Sequence, residues 1–351
     1  MNLKREPMTP KRRYLAGVLG GRVDAIPAGS PTSVATVECM EISGAFFPQV
    51  HTDGRAMATL AATAHTVLGF DAIMPIFSVQ QEAAALGCVM DWGDRTSMPV
   101  ERSHPFVQPE DVVIPPDFLD RPSIKAVLEA LSILRHEYGH RVAIVGKVMG
   151  PWTLSYNTNG VQQFLMDTIL EPDKVRCFLD RLKDVTLLFA KAQIAAGADV
   201  ICLADHATGD LVSAKTYRDF LMPVHQGILK ELGCPTILHI CGDTTNRLSY
   251  LVEAGFDCFH FDSKVDAKVA RSIVAGKMSL VGNVNNPQTL LRGTPEDARR
   301  ETLYALEAGV EIAAPECAVP LITPNANLQA IVSAAKEFSE RKRAAQGPAP
   351  A

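Results

Sequence analysis

The chain of 351 residues contains no apolar run near the roughly 20 residues that a membrane-spanning helix needs. Its net charge of −5 is mixed along the chain, which argues against nucleic acid or an anionic membrane as a partner. The basic start, Lys4, Arg5, Lys11, Arg12 and Arg13, is not followed by an adequate apolar segment or a small-residue cleavage site. A cytoplasmic location is therefore expected. The eight cysteines are scattered, without the spacing of a disulfide framework, and read as reduced thiols. No Gly-x-Gly-x-x-Gly follows an early strand, so nucleotide binding has little support.

What is present is a regular alternation of short strands and helices. Hydrophobic residues (47%) and charged residues (21%) match a soluble globular chain, and the length suits either two average domains or one α/β barrel. Thr9 to Leu19 reads as a helix entered through Thr9-Pro10, with an irregular first strand over Asp24 to Ser30. A helix over Gly54 to Leu68 leads into a strand around Gly69 to Phe77. Ala83 to Pro116 breaks the pattern and reads as a hairpin and loops over one end of the domain. From Pro122 onward helices alternate with strands at 142–147, 199–204, 236–239, 257–261, 278–282 and 311–314. Counting the two earlier strands gives eight, which predicts a parallel (β/α)8 barrel as one domain over residues 1–343, with 344–351 as a disordered tail. A doubly wound open sheet is the alternative.

Barrels of this kind gather their reactive groups where strands end. Here the unusual residues fall at those places: Asp205-His206, His239-x-Cys241, His260-x-Asp262, Asn283-x-Asn285 and Cys317. His239 and Cys241 share one face of a strand by period-two alternation, and Cys317 at a later strand end supplies a third soft ligand. Three N/S ligands with one position open is the pattern of a catalytic zinc. Asp262 either adds a fourth ligand or caps the helix that begins near Lys264. Asp205 and His206 form a candidate acid/base pair, though an Asp at a strand end equally orients a neighbour. His206, Asn283 and Asn285 could equally hold polar groups of a cofactor or substrate, or satisfy loop backbone. Cys258 either lines the interior or packs, and Glu82 carries a weaker signal still.

The His-x-Cys…Cys set occurs with LADHATGDLVSAKTY (203–217), PTILHICGDTT (235–245), VGNVNNPQTLLRGTPED (281–297) and MTPKRRYLAGVLGGRVDAIP (8–27). Together they resemble the corrinoid methyltransferases of the methylcobamide:coenzyme M type, within the uroporphyrinogen decarboxylase superfamily, from Met8 to about Lys342. The resemblance implies a (β/α)8 barrel with catalytic Zn2+ on His239, Cys241 and Cys317. It also implies an acidic ligand in the substrate-free state at Asp262, where the family carries Glu. The expected reaction moves a methyl group from a methylated corrinoid such as methylcobalamin, usually on a separate corrinoid protein, to a zinc-activated thiol such as coenzyme M. A tetrahydrofolate acceptor, a decarboxylase-like lyase and a noncatalytic zinc-stabilised barrel are the rival readings. Decarboxylases of the superfamily carry Pro-x-Trp-x-Met-Arg-Gln-Ala-Gly-Arg after the first helix; this chain has DAIPAGSPTSVATVECMEISG (24–44), with no arginine between Arg22 and Arg55.

Overall fold

Short, fully buried apolar runs build the centre of the molecule, because strands covered on both faces have no use for polar alternation. The computed structural model describes residues 7–345 and places seven of these runs in one parallel sheet. In chain order they are β1 (Ala72–Ile73), β4 (Ala143–Met149), β5 (Val200–Ala204), β6 (Thr236–Ile240), β7 (Cys258–Phe261), β8 (Ser279–Val284) and β9 (Ile312–Pro315). The two remaining strands, β2 (Met90–Asp91) and β3 (Val100–Glu101), form a separate antiparallel hairpin between β1 and β4.

The sheet closes on itself through residues 27–29. Gly29 donates its backbone N–H to Ala313 (3.0 Å), Ala313 donates to Pro27 (3.0 Å), and on the other side Asp71 donates to Ala28 (2.7 Å). This eighth stave is the irregular strand expected over Asp24 to Ser30, reduced to a single bridge at Ala28. Seven strands and one bridging segment make the closed (β/α)8 barrel. Its N-terminal end is covered by the helix Pro10–Val18, with Thr9 Oγ1 accepting from Arg12 N–H at 3.3 Å. Gly17 lets that helix sit against β9, since a Cβ there would lie 2.9 Å from Ile312 Cγ1.

Three elements differ from expectation for identifiable reasons. The helix Pro151–Asn159 follows β4 directly and has no counterpart among the expected elements; every one of its residues is buried, so it has no polar face and no amphipathic period. The helix expected over Ser213 to Leu232 is divided into Ala214–Thr216, a π-turn at Tyr217–Leu221 and Met222–Glu231. Pro223 has no N–H to continue the regular ladder there. The last helix spans Asn325–Ala345, so Ala344 and Ala345 are helical; the rest of the expected tail lies outside the described residues.

The hairpin segment folds over the C-terminal end of the barrel. Phe106 N–H donates to Thr158 O (2.9 Å), and Asn159 Nδ2 donates back to Phe106 O (2.7 Å). Among the described residues no helix is long and apolar enough to cross a membrane.

Candidate metal centre

Parallel register carries the site's side chains to one end. Ala204 pairs with His239 and His239 with His260, so these positions share the inward face of β5, β6 and β7. Cys241 follows β6 by one residue and Cys317 follows β9 by two. Their ligand atoms converge: His239 Nε2 lies 3.1 Å from Cys241 Sγ and 3.3 Å from Cys317 Sγ, and the two sulfurs are 3.2 Å apart. Among the described residues these three form the one group of His, Cys, Asp or Glu clustered tightly enough to hold a metal ion.

The surroundings orient each donor. His239 Nδ1 faces His260 O at 3.3 Å, which leaves the Nε2 lone pair for the sulfurs. His260 donates from Nε2 to Pro315 O (2.8 Å), and burial, reinforced by His239, lowers its pKa to about 3, so its ring is neutral. Glu316 precedes Cys317 and accepts from Ser263 N–H (2.8 Å) and Asn286 N–H (2.7 Å), fixing the turn after β9. Cys317 is held well below the ordinary thiol range, first by its hydrogen bond with Cys241 and also by His239, while the same contact and burial push Cys241 well up. Two touching sulfurs, one with its pKa lowered and one with it raised, with an imidazole lone pair aimed at both, are the donor set that a soft dication completes.

The other expected residues are placed differently. Asp262 does not join the cluster: Oδ2 accepts from Gly242 N–H (2.8 Å) and Oδ1 from Lys264 N–H (2.9 Å). Nor does it cap the next helix, Ala267–Val274, whose N-cap is Asp266. Asp205 is fully buried and positions its neighbours rather than facing the triad. Its Oδ1 accepts from Thr153 N (2.7 Å) and Thr153 Oγ1 (3.0 Å), and Oδ2 accepts from His225 Nε2 (3.0 Å). Asn285 caps the turn at Gln288 (2.7 Å) and donates to Ser263 Oγ (2.8 Å); Asn283 Nδ2 donates to Val265 O (3.0 Å) and Asp262 O (3.3 Å). Asn285 is thereby engaged in its loop, as is Nδ2 of Asn283, whose Oδ1 takes no hydrogen bond among the described residues. His206 is near the triad, and burial followed by His239 lowers its pKa. Cys258 is packed with no exposure.

Sequence reasoning missed His225, a buried helical histidine with no local signal, and Lys147, hidden inside an apolar strand run. It also missed His51, carried on an irregular turn.

The profile of the uroporphyrinogen decarboxylase (URO-D) family matches residues 9–338. A methylated-thiol–coenzyme M methyltransferase of Methanosarcina mazei is 38% identical over 94% of this chain and 90% of its own length. The chain belongs to the URO-D family, in its methyltransferase branch. A methylcobamide:CoM methyltransferase of Methanosarcina acetivorans is 36% identical over 94% of this chain and 98% of its own. The solved structure of a methyltransferase from Methanosarcina mazei superposes on this URO-D family member with a TM-score of 0.91, at 34% identity, covering 94% of this chain and 99% of that one.

Proposed function

We propose that this URO-D family methyltransferase transfers a methyl group from a methylated corrinoid to a thiol, using zinc held by His239, Cys241 and Cys317. The observation that carries the reading is the convergence of two sulfurs and one imidazole nitrogen within 3.3 Å of one another at the mouth of the barrel. The names of the relatives, methylcobamide:CoM methyltransferases among them, supply the reaction class.

His239, Cys241 and Cys317 would hold the zinc, which would supply a Lewis acid that lowers a thiol's pKa while leaving its sulfur electron-rich. The chain's own groups do the positioning. His260 O holds the His239 ring with Nε2 toward the centre, and the Asp262 carboxylate anchors the turn after Cys241 through Gly242 N–H. In the transfer the acceptor sulfur forms a bond to the methyl carbon, the Co–C bond breaks with its electron pair left on cobalt, and the thiol proton goes to solvent. Cobalt leaves without protonation, so no general acid is required. The corrinoid, carried by a partner protein, would present its methyl group to the C-terminal end of the barrel.

The test is metal content by mass spectrometry on untagged protein beside Cys317→Ser, followed by loss of the methylcobalamin absorbance with a panel of thiols and tetrahydrofolate. About one zinc per chain, lost in the variant, with thiol-dependent demethylation is the expected result. Zinc-free protein with full activity would overturn it, and demethylation by tetrahydrofolate alone would reassign the acceptor.

A further inference from the structure

At the end of β5 one imidazole stands free at the barrel mouth, backed by a buried chain of polar side chains that the reaction above does not use. Asp205 extends the β5 ladder by donating its backbone N–H to His239 O (3.0 Å). Its carboxylate points out of the barrel, to Thr153 of the helix Pro151–Asn159 and to His225 of the helix Met222–Glu231. Alternation along a strand then turns the residues on either side of it, Ala204 and His206, inward. Ala204 pairs with His239. Carried two residues further, that register sets His206 beside Cys241, on neighbouring strands about 4.8 Å apart.

The buried chain fixes this direction. Thr153 Oγ1 donates to Asp205 Oδ1 (3.0 Å) and accepts from His206 N–H (2.8 Å); beyond Asp205, His225 Nδ1 meets the Tyr217 hydroxyl at 3.1 Å. Thr153, Asp205, His225 and Tyr217 are all buried, so water does not compete for these bonds. The His206 ring has the opposite surroundings. It is half-buried, no group among the described residues hydrogen-bonds it, and it stands outside the cluster of three ligand atoms. Burial lowers its pKa, so the ring is neutral, with a lone pair to offer. The other bases near the mouth are engaged: Asp262 and Glu316 each accept backbone N–H groups on both oxygens, and Asp205 is tied on both of its own. His260 is fully buried, with Nε2 on Pro315 O, and has no path for a proton to water.

We infer that His206 is a catalytic base that takes the proton of the acceptor thiol, with Thr153 and Asp205 as its positioning residues. This rests on the triad being the docking point of the acceptor sulfur. The S–H bond breaks with its electron pair left on sulfur, and the proton goes to the free imidazole nitrogen of His206. Sulfur then bonds to the methyl carbon while cobalt keeps the pair of the Co–C bond. The imidazolium gives its proton to solvent across the half-exposed mouth, which regenerates the neutral ring without a further reactant.

Methyl transfer from methylcobalamin to two uncharged thiols, 2-mercaptoethanol and the more acidic 2,2,2-trifluoroethanethiol, tests the inference in the zinc-loaded full chain, in His206→Ala and in His206→Gln. A proton acceptor matters most where the thiol holds its proton tightly. The expected loss in both variants is about a hundred-fold or more with 2-mercaptoethanol and under about ten-fold with trifluoroethanethiol, and free imidazole should restore His206→Ala in proportion to its concentration. Equal losses with the two thiols would make His206 structural and overturn the assignment, as would a native rate in His206→Ala. Zinc per chain, by mass spectrometry, should be unchanged in both variants; its loss would make His206 a ligand and overturn the base. Calorimetry of thiol binding in two buffers of different protonation enthalpy gives a readout that needs no turnover: His206→Ala should release more protons to the buffer than the native chain, and equal release would count against the base. Native turnover that survives in His206→Ala removes the base alone. A zinc-loaded native chain without thiol-dependent demethylation would instead overturn the methyl-transfer reading, and the base with it.

Discussion

Single side chains decide whether this barrel mouth can do chemistry. Cys241 and Cys317 are each other's neighbours at 3.2 Å, so removing either sulfur leaves two donors, too few to hold zinc firmly. Cys241→Ser should therefore lose both metal and methyl transfer while circular dichroism stays native. Asp262 acts one step away: its carboxylate fixes Gly242 N–H, next to Cys241, without joining the cluster. Asp262→Ala is expected to weaken zinc by about ten- to a hundred-fold, read by competition with a chelator, and to leave a measurable rate. A first-order loss like that of Cys241→Ser would instead make the carboxylate a ligand.

Glu82 gives a pH signature at the same scale. Its carboxyl is raised from 4.5 to about 7, mainly by burial, so the folded chain holds this proton more tightly than the unfolded chain does. Stability from this group is full below about 4.5 and falls as pH rises to about 7, by on the order of 3 kcal/mol. Glu82→Gln keeps an oxygen for Met149 N–H and removes the titration. Its Tm advantage over the native protein should be small at pH 4.5 and largest above pH 7, by differential scanning calorimetry.

At the scale of elements, the sequence was legible where chemistry and periodicity coincide. Parallel strands such as Thr236–Ile240 announce themselves as β-branched and aliphatic runs, and the helix Pro295–Glu307 by its Thr294/Asp297 capping box. The convergence of His239, Cys241 and Cys317 was visible because strand ends in a barrel face one mouth. The helix Pro151–Asn159 was invisible because it is buried on every side. Asp205, Asn283 and Asn285 stand at strand ends and make loop and helix contacts there, since loops that shape a site need the same residue types as the site itself. Asp205 fastens the helix Pro151–Asn159 to β5, and Gly150 before that helix leaves room for it: a Cβ there would lie 2.3 Å from Asp205 Oδ2. Gly150→Ala must therefore push aside a carboxylate tied on both oxygens, and should cost about 2–4 kcal/mol in urea unfolding. An unaffected midpoint would show that the clamp yields easily.

For the whole molecule, the distinctive property is how the barrel is shut. Six strand pairings hold the sheet, whereas closure depends on one bridge and three backbone hydrogen bonds around residues 27–29. Local opening follows the thinnest set of contacts. Amide exchange at Gly29, Asp71 and Ala313 is expected to outpace that of the paired residues of β5 and β6; equal protection would mean that the barrel opens only as a unit.

That seam and the candidate metal centre meet on β9, which bonds to Pro27 and Gly29 on one side and ends two residues before Cys317. A cation held by Cys317 together with His239 and Cys241 would therefore tie down the stave along which the barrel would unzip. A cell short of zinc would then hold a chain that is idle and also easier for proteases to enter. Metal scarcity would be read out as a shortened lifetime of the protein, and supply of the ion would set its abundance as well as its rate.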